Sequence, residues 1–146
     1  MPVAEKLLLG AAWATIGIYA GALHLVPFRR LAAVFGKQVG AVGCVPLVDD
    51  RQLHRARMIR RALLRASNIA PFRADCLPQA LAAATLGRAL GVPVAIHFGM
   101  RREDVSRNLD AHAWVCAGSV AVSGGYSFDC YTALACFLPA RMAAGS

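Results

Sequence analysis

The chain has 146 residues, which suits one domain with a sizeable core. Apolar residues make up 58% of it, which excludes a disordered chain and raises the question of a membrane. Sixteen Lys and Arg face eight Asp and Glu, so the net charge is +8, and fourteen of the cations are Arg. This charge favours acidic partners: an acidic peptide, a phosphate-rich surface or anionic lipid.

The cysteines give neither a zinc-binding pattern nor a complete set of disulfides. There are five, an odd number, and no CxxC pair occurs among positions 44, 76, 116, 130 and 136. We therefore expect a reducing, cytoplasmic compartment, and neither a metal nor a cofactor.

The first element in the chain is an apolar helix. Leu7 to Val26 carries no formal charge when His24 is neutral, and its twenty residues are enough to span a bilayer. Gly17 and Gly21 form a GxxxG motif. The stretch is too long and too rich in glycine for a secretory signal. It predicts either a membrane span, with the remaining chain in the cytoplasm, or a helix buried against the domain.

A basic helix follows a connector that contains glycine and proline and extends from Val34 to Val48. Asp49 and Asp50 suit the positive end of a helix dipole, so they predict its start. A buried stripe is predicted at Leu53, Ala56, Ile59, Leu63 and Ala66. Seven arginines lie between residues 51 and 73 with no acid among them. They predict a solvated helix face or a docking surface for an acidic partner, and no aromatic platform supports nucleic acid.

Another helix and a set of strands complete the chain. The helix is predicted from Cys76 to Leu90, with Pro78 tolerated near its start and Gly91 ending it. Alternation of apolar residues predicts strands over 92–100, 111–116 and 120–122, a polar loop over 101–109, and a strand or helix over 131–138. The predicted fold class is α+β, with N-terminal helices followed by a small antiparallel meander.

Cys76 and His112 are the candidates for chemistry. A thiol at a helix N-terminus has a lowered pKa, although the neighbouring Asp75 acts in the opposite direction. His112 shares a predicted strand face with Trp114 and Cys116, and it is a candidate base if that face meets the helix start. The alternative is that both residues only pack in the core. His97 is a weaker candidate for the base.

The motifs around these residues resemble the transglutaminase-like family of lasso-peptide maturation proteases, which remove the leader of a ribosomal precursor. The most specific blocks are Cys76-Leu77-Pro78 and Ala111-His112-Ala113-Trp114-Val115. Further matching blocks are Val26 to Leu31, Leu90 to Pro93, Phe98 to Arg101, Val122 to Gly125, Tyr131 and Leu134 to Phe137.

The resemblance implies a papain-like cysteine peptidase. Cys76 would be the nucleophile and would donate its N–H to the oxyanion, and His112 would act as base and then as acid. Family members place an Asp on the next strand, where this chain has Ser123 or Gly124. Asp129, Asp110 or a backbone carbonyl are the alternatives for orienting His112.

The resemblance also implies partners and a domain organisation. Residues 1–48 would form the apolar helix and connector, and residues 49–146 the catalytic core. The short chain resembles the split form, which works with a separate leader-recognition protein, the precursor and the macrolactam-forming cyclase. We expect the apolar helix and Arg51, Arg55 and Arg61 to dock this partner or the leader, and Trp114 to line the site. Alternatives are a transamidase or deamidase on the same fold, or a non-catalytic membrane-associated scaffold.

Overall fold

The computed structural model describes residues 2–27, 30, 37–40, 46–71, 76–101, 111–124 and 131–138. Its helices are α1 (Val3–Leu25), α2 (Asp50–Ile69) and α3 (Cys76–Leu90). Its strands are β1 (Lys37–Gly40), β2 (Ala95–Arg101), β3 (Ala111–Ala117), β4 (Val120–Ser123) and β5 (Tyr131–Leu138). The predicted α+β class is confirmed.

Helix α1 lies against α2 and α3 along one side only. Ala12 and Ile16 are fully buried on that side, and the Tyr19 hydroxyl lies 2.7 Å from the Thr85 hydroxyl of α3. By length and composition α1 could cross a membrane, yet only 11% of its most apolar window is buried in the protein. The helix is therefore docked on the domain but is not enclosed by it.

Helix α2 begins at the two acidic residues, as predicted. Asp49 caps it, because its carboxylate accepts the Gln52 N–H at 2.7 Å while the Gln52 side chain accepts the Asp49 N–H at 3.0 Å. Four residues of the predicted stripe are buried: Ala56, Ile59, Leu63 and Ala66. Ala62 is buried beside them, and the predicted Leu53 is half-buried. The six arginines of the helix are all exposed.

The end of α3 is held by a glycine cap and by side chains from α2. Gly91 has φ +71°, and the Val92 N–H donates to the Gly87 carbonyl at 2.7 Å, which is a Schellman motif. The Arg55 guanidinium donates to the Leu90 carbonyl at 2.8 Å. These bonds satisfy carbonyls that the helix itself cannot pair, and they confirm the predicted end at Gly91.

The five described strands form one antiparallel sheet in the order β1-β5-β2-β3-β4. Two expectations are corrected. The segment from Val34 to Val48 contains strand β1, so it is not only a connector. The sheet is also not a simple meander, because β5 returns to pair with β2 and places β1 at the edge. β1 has only four residues with weak alternation, and its partner lies about a hundred residues away, so local pattern could not reveal it.

The two faces of the sheet carry different side chains. Ala113 and Val115 of β3 belong to the core beneath the helices, together with Ile96 of β2. Trp114 pairs across strands with His97, which also pairs with Cys136, and paired residues share a face. Trp114, His97 and Cys136 are fully buried too. The sheet is therefore covered on both sides near its centre.

Candidate active site

Cys76 is the first residue of α3, which is where its motif predicted it. Its reduced thiol is half-buried and packs against the helical core, followed by Leu77 in the same environment and by the buried Pro78. The N–H groups of a helix's first turn have no partner within the helix. The Cys76 N–H is therefore positioned at the positive end of α3, where an oxyanion would be stabilised.

His112 is the second residue of β3 and has a defined tautomer. Its Nε2 atom lies 2.9 Å from the carbonyl oxygen of Gly124. A carbonyl oxygen can only accept, so the hydrogen of the neutral ring resides on Nε2 and the lone pair on Nδ1. A base that abstracts a thiol proton uses such a lone pair.

The buried Trp114 ring stacks against the His112 ring. The two ring centroids are 6.1 Å apart with planes 19° from parallel, and His97 stacks against Trp114 at 5.4 Å and 13°. Trp114 has no exposed surface, so it positions His112 and does not present a face to a substrate. His97 is likewise fully buried, which gives this rival base a packing role.

Gly124 follows β4 and only a glycine fits its position. Its φ is +74°, and a Cβ there would lie 2.6 Å from the Ala113 carbonyl oxygen and 2.9 Å from the Trp114 Cα. This close approach is what brings the Gly124 carbonyl to His112. The sequence offers a backbone carbonyl as one alternative for orienting His112 but does not indicate which residue supplies it, since a carbonyl acceptor leaves no signature in residue type.

The structure describes only some of the other positions considered for orienting His112. Asp129 and Asp110 lie outside the described residues. Ser123, at the other position that matches the family's Asp, is buried, and its hydroxyl has no hydrogen-bond partner within the described part of the chain. The Gly124 carbonyl is therefore the orienting group that the described residues provide.

The topology brings Cys76 and His112 to the same end of the sheet. The chain reverses at Gly91, so β2 runs back toward the start of α3, and β3 starts beside the end of β2. Alternation places His112 on the face opposite the helices, however, whereas Cys76 contacts the helical core. The predicted pair would therefore meet around the end of the sheet and not across one face, and the pairing stays a prediction.

The three arginines expected to dock a partner lie in different settings. Arg51 and Arg61 are exposed, and Arg61 borders a groove between α1 and α2 that Glu5, Leu8 and Leu9 also line. Arg55 is exposed as well, but its guanidinium is bonded to the end of α3. Within the described ranges, no group of three or more His, Cys, Asp and Glu could hold a metal ion.

The chain matches the family model of the transglutaminase-like superfamily over residues 22–136. That match covers most of the chain, so the protein belongs to the transglutaminase-like superfamily, whose members are generally cysteine-peptidase-like enzymes. Membership suggests cysteine-peptidase-like or transamidase chemistry. No curated protein and no solved structure matches the chain.

Proposed function

We propose that this protein is a cysteine peptidase that removes the leader peptide from a lasso-type precursor. The proposal is supported above all by the bond between His112 and Gly124, which leaves the lone pair of the neutral imidazole on Nδ1. It is supported further by the location of Cys76 at a helix start at the same end of the sheet. Both residues lie within the segment 22–136 that matches the superfamily.

The proposed reaction begins when His112 Nδ1 takes the proton of the Cys76 thiol. The sulfur attacks the scissile carbonyl carbon, and the oxyanion accepts a hydrogen bond from the Cys76 N–H. His112 then gives its proton to the leaving nitrogen as the C–N bond breaks, and a thioester remains on Cys76.

Water resolves the thioester in the second half of the reaction. His112 takes a proton from the water as the water oxygen attacks the thioester carbonyl carbon, the C–S bond breaks, and that proton passes to the sulfur. The products are a leader with a new carboxylate and a core peptide with a free amine. That amine is the group which a macrolactam-forming cyclase would join to a carboxyl side chain.

The proposed partners are the precursor peptide and a separate protein that recognises its leader. The described residues form three helices and one five-stranded sheet. We propose that the recognition protein presents the leader, so that the peptidase itself has to hold only the residues around the cut.

Mass spectrometry of a lasso-type precursor, incubated with its recognition protein and this chain, tests the proposal. Wild-type protein should release the leader, Cys76→Ala should release none, and the buried-thiol control Cys116→Ala should retain release. Cleavage by Cys76→Ala would overturn the nucleophile. A product joined to an added amine, in place of a free carboxylate, would assign transamidation instead of hydrolysis.

A further inference from the structure

The exposed surface of α1 is mostly apolar, with Lys6 and His24 as its exposed polar side chains. Leu7, Ile18 and Leu25 are 70%, 67% and 86% exposed. The other exposed positions between Leu7 and Leu25 are Gly10, Ala11, Trp13, Ala14, Gly21 and His24. A helix of 23 residues is about 35 Å long. An apolar strip of that length is unusual on a surface in contact with water alone.

The contacts on the docked side of α1 distinguish between a helix that crosses a bilayer and one that lies on its surface. Ala12 and Ile16 are buried against the other helices, and Tyr19 is hydrogen-bonded to Thr85. A helix crossing a bilayer with this domain attached would have to lose these contacts. A helix lying flat on a bilayer retains them and still covers its apolar side.

The neighbouring helix supplies a positive surface. Arg61 and Arg65 line the groove between α1 and α2, next to Leu8 and Leu9 of α1. The exposed arginines of α2 are Arg51, Arg55, Arg57, Arg60, Arg61 and Arg65. Asp50 is the one acidic residue within α2. Apolar and cationic surfaces thus lie side by side on two packed helices.

We propose that α1 and α2 form a docking surface for an anionic membrane, with α1 lying flat in the interface. The apolar strip would enter the boundary between headgroups and acyl chains, and the arginines would contact anionic headgroups. An acidic peptide would account for the arginines but would leave the apolar strip exposed. This proposal does not depend on the proposed function.

Tryptophan fluorescence of the whole protein gives a direct test. The chain has two tryptophans: Trp13 on α1 is 40% exposed, whereas Trp114 has no exposed surface. Acrylamide quenching therefore reports on Trp13. Vesicles of phosphatidylcholine containing phosphatidylserine should shield Trp13 and carry the protein upward in a flotation gradient, and pure phosphatidylcholine vesicles should do so much less.

Matched variants separate the two parts of the surface. Ile18→Asp should abolish flotation, whereas Leu47→Asp, at a residue 91% exposed outside the helices, should not. Arg57→Gln and Arg61→Gln should each weaken binding about fivefold, and added salt should weaken wild-type binding. Circular dichroism and thermal unfolding would show that each variant folds.

Three results would overturn the proposal. One is equal binding to neutral and anionic vesicles, and another is binding by Ile18→Asp as strong as that of wild type. The third is shielding of Trp13 by a soluble acidic peptide with no flotation on any vesicle, which would assign the surface to a peptide partner.

Discussion

The Nε2 atom of His112 lies 2.9 Å from the carbonyl oxygen of Gly124, so a backbone group orients the imidazole. An Asp at this place would bring a full negative charge. The carbonyl fixes the ring's tautomer and direction without that charge. Gly124 can approach because it has no Cβ, and Trp114, whose Cα would touch such a Cβ, also stacks against His112.

Gly124→Ala should lower both stability and turnover. Its φ of +74° costs a non-glycine residue roughly 1–2 kcal/mol, and the new Cβ would press on the Ala113 carbonyl. The loop must shift, and its carbonyl shifts away from His112. Urea unfolding and leader release would measure the two effects, and we expect kcat to fall more than KM rises.

The control for this substitution is Gly21→Ala on α1, where a Cβ would meet nothing within 4 Å. Alanine there should stabilise the protein by about 0.5–1 kcal/mol and leave release unchanged. Full turnover by Gly124→Ala would show that this carbonyl does not orient a catalytic histidine.

Native alkylation should label Cys76 before the described core thiols. Cys76 is half-buried at a helix start, whereas Cys116 and Cys136 have no exposed surface. A short pulse of iodoacetamide near neutral pH, followed by peptide mapping, measures each rate. Comparable rates at Cys76 and Cys116 would mean that Cys76 is an inert packing residue and would favour a non-catalytic scaffold.

His112→Gln tests the role of His112 as a base separately from its role in stabilising the fold. The glutamine amide can still donate a hydrogen bond to Gly124, but it has no basic nitrogen. Leader release should fall roughly 10²–10⁴-fold while thermal unfolding stays close to wild type. His54→Gln, at an exposed histidine of α2, is the matched control and should retain activity. If both variants cleave equally well, His112 is not the base.

Arg55→Met should weaken the contact between α2 and the C-terminal end of α3. Methionine keeps an unbranched apolar stem but cannot donate to the Leu90 carbonyl, so unfolding free energy should fall by about 1 kcal/mol. Arg57→Met, at an exposed arginine of the same helix, should change it by less than about 0.5 kcal/mol. Equal losses in the two variants would show that the bond to Leu90 contributes nothing.

Local signals were sufficient for the helices and for most strands. Both bounds of α3 follow from local signals, because Pro78 is tolerated near a helix start and Gly91, at positive φ, ends the helix. The capped start of α2 at Asp49 and the alternation of β3 are equally local. Each depends on neighbours within a few residues, which is the range that a sequence pattern covers.

Features that depend on distant partners were missed. The pairing of Lys37 with Leu138 joins segments a hundred residues apart, so the local pattern around β1 predicts only a connector. A backbone carbonyl is among the predicted alternatives for orienting His112, but that it belongs to Gly124 follows only from the close contact of this residue with Trp114. The covering of the second sheet face, with Trp114 and His97 fully buried, also follows only from tertiary packing.

The order of the strands also determines when each strand can pair with its neighbour while the chain is being synthesised. β5 is the last described strand, yet it lies between β1 and β2. The three helices can begin to pack while the chain is still on the ribosome, but β1 has no sheet partner until β5 has emerged. The nascent chain would therefore carry an unpaired strand edge until β5 has emerged, and a chaperone that covers this edge would be needed over that interval.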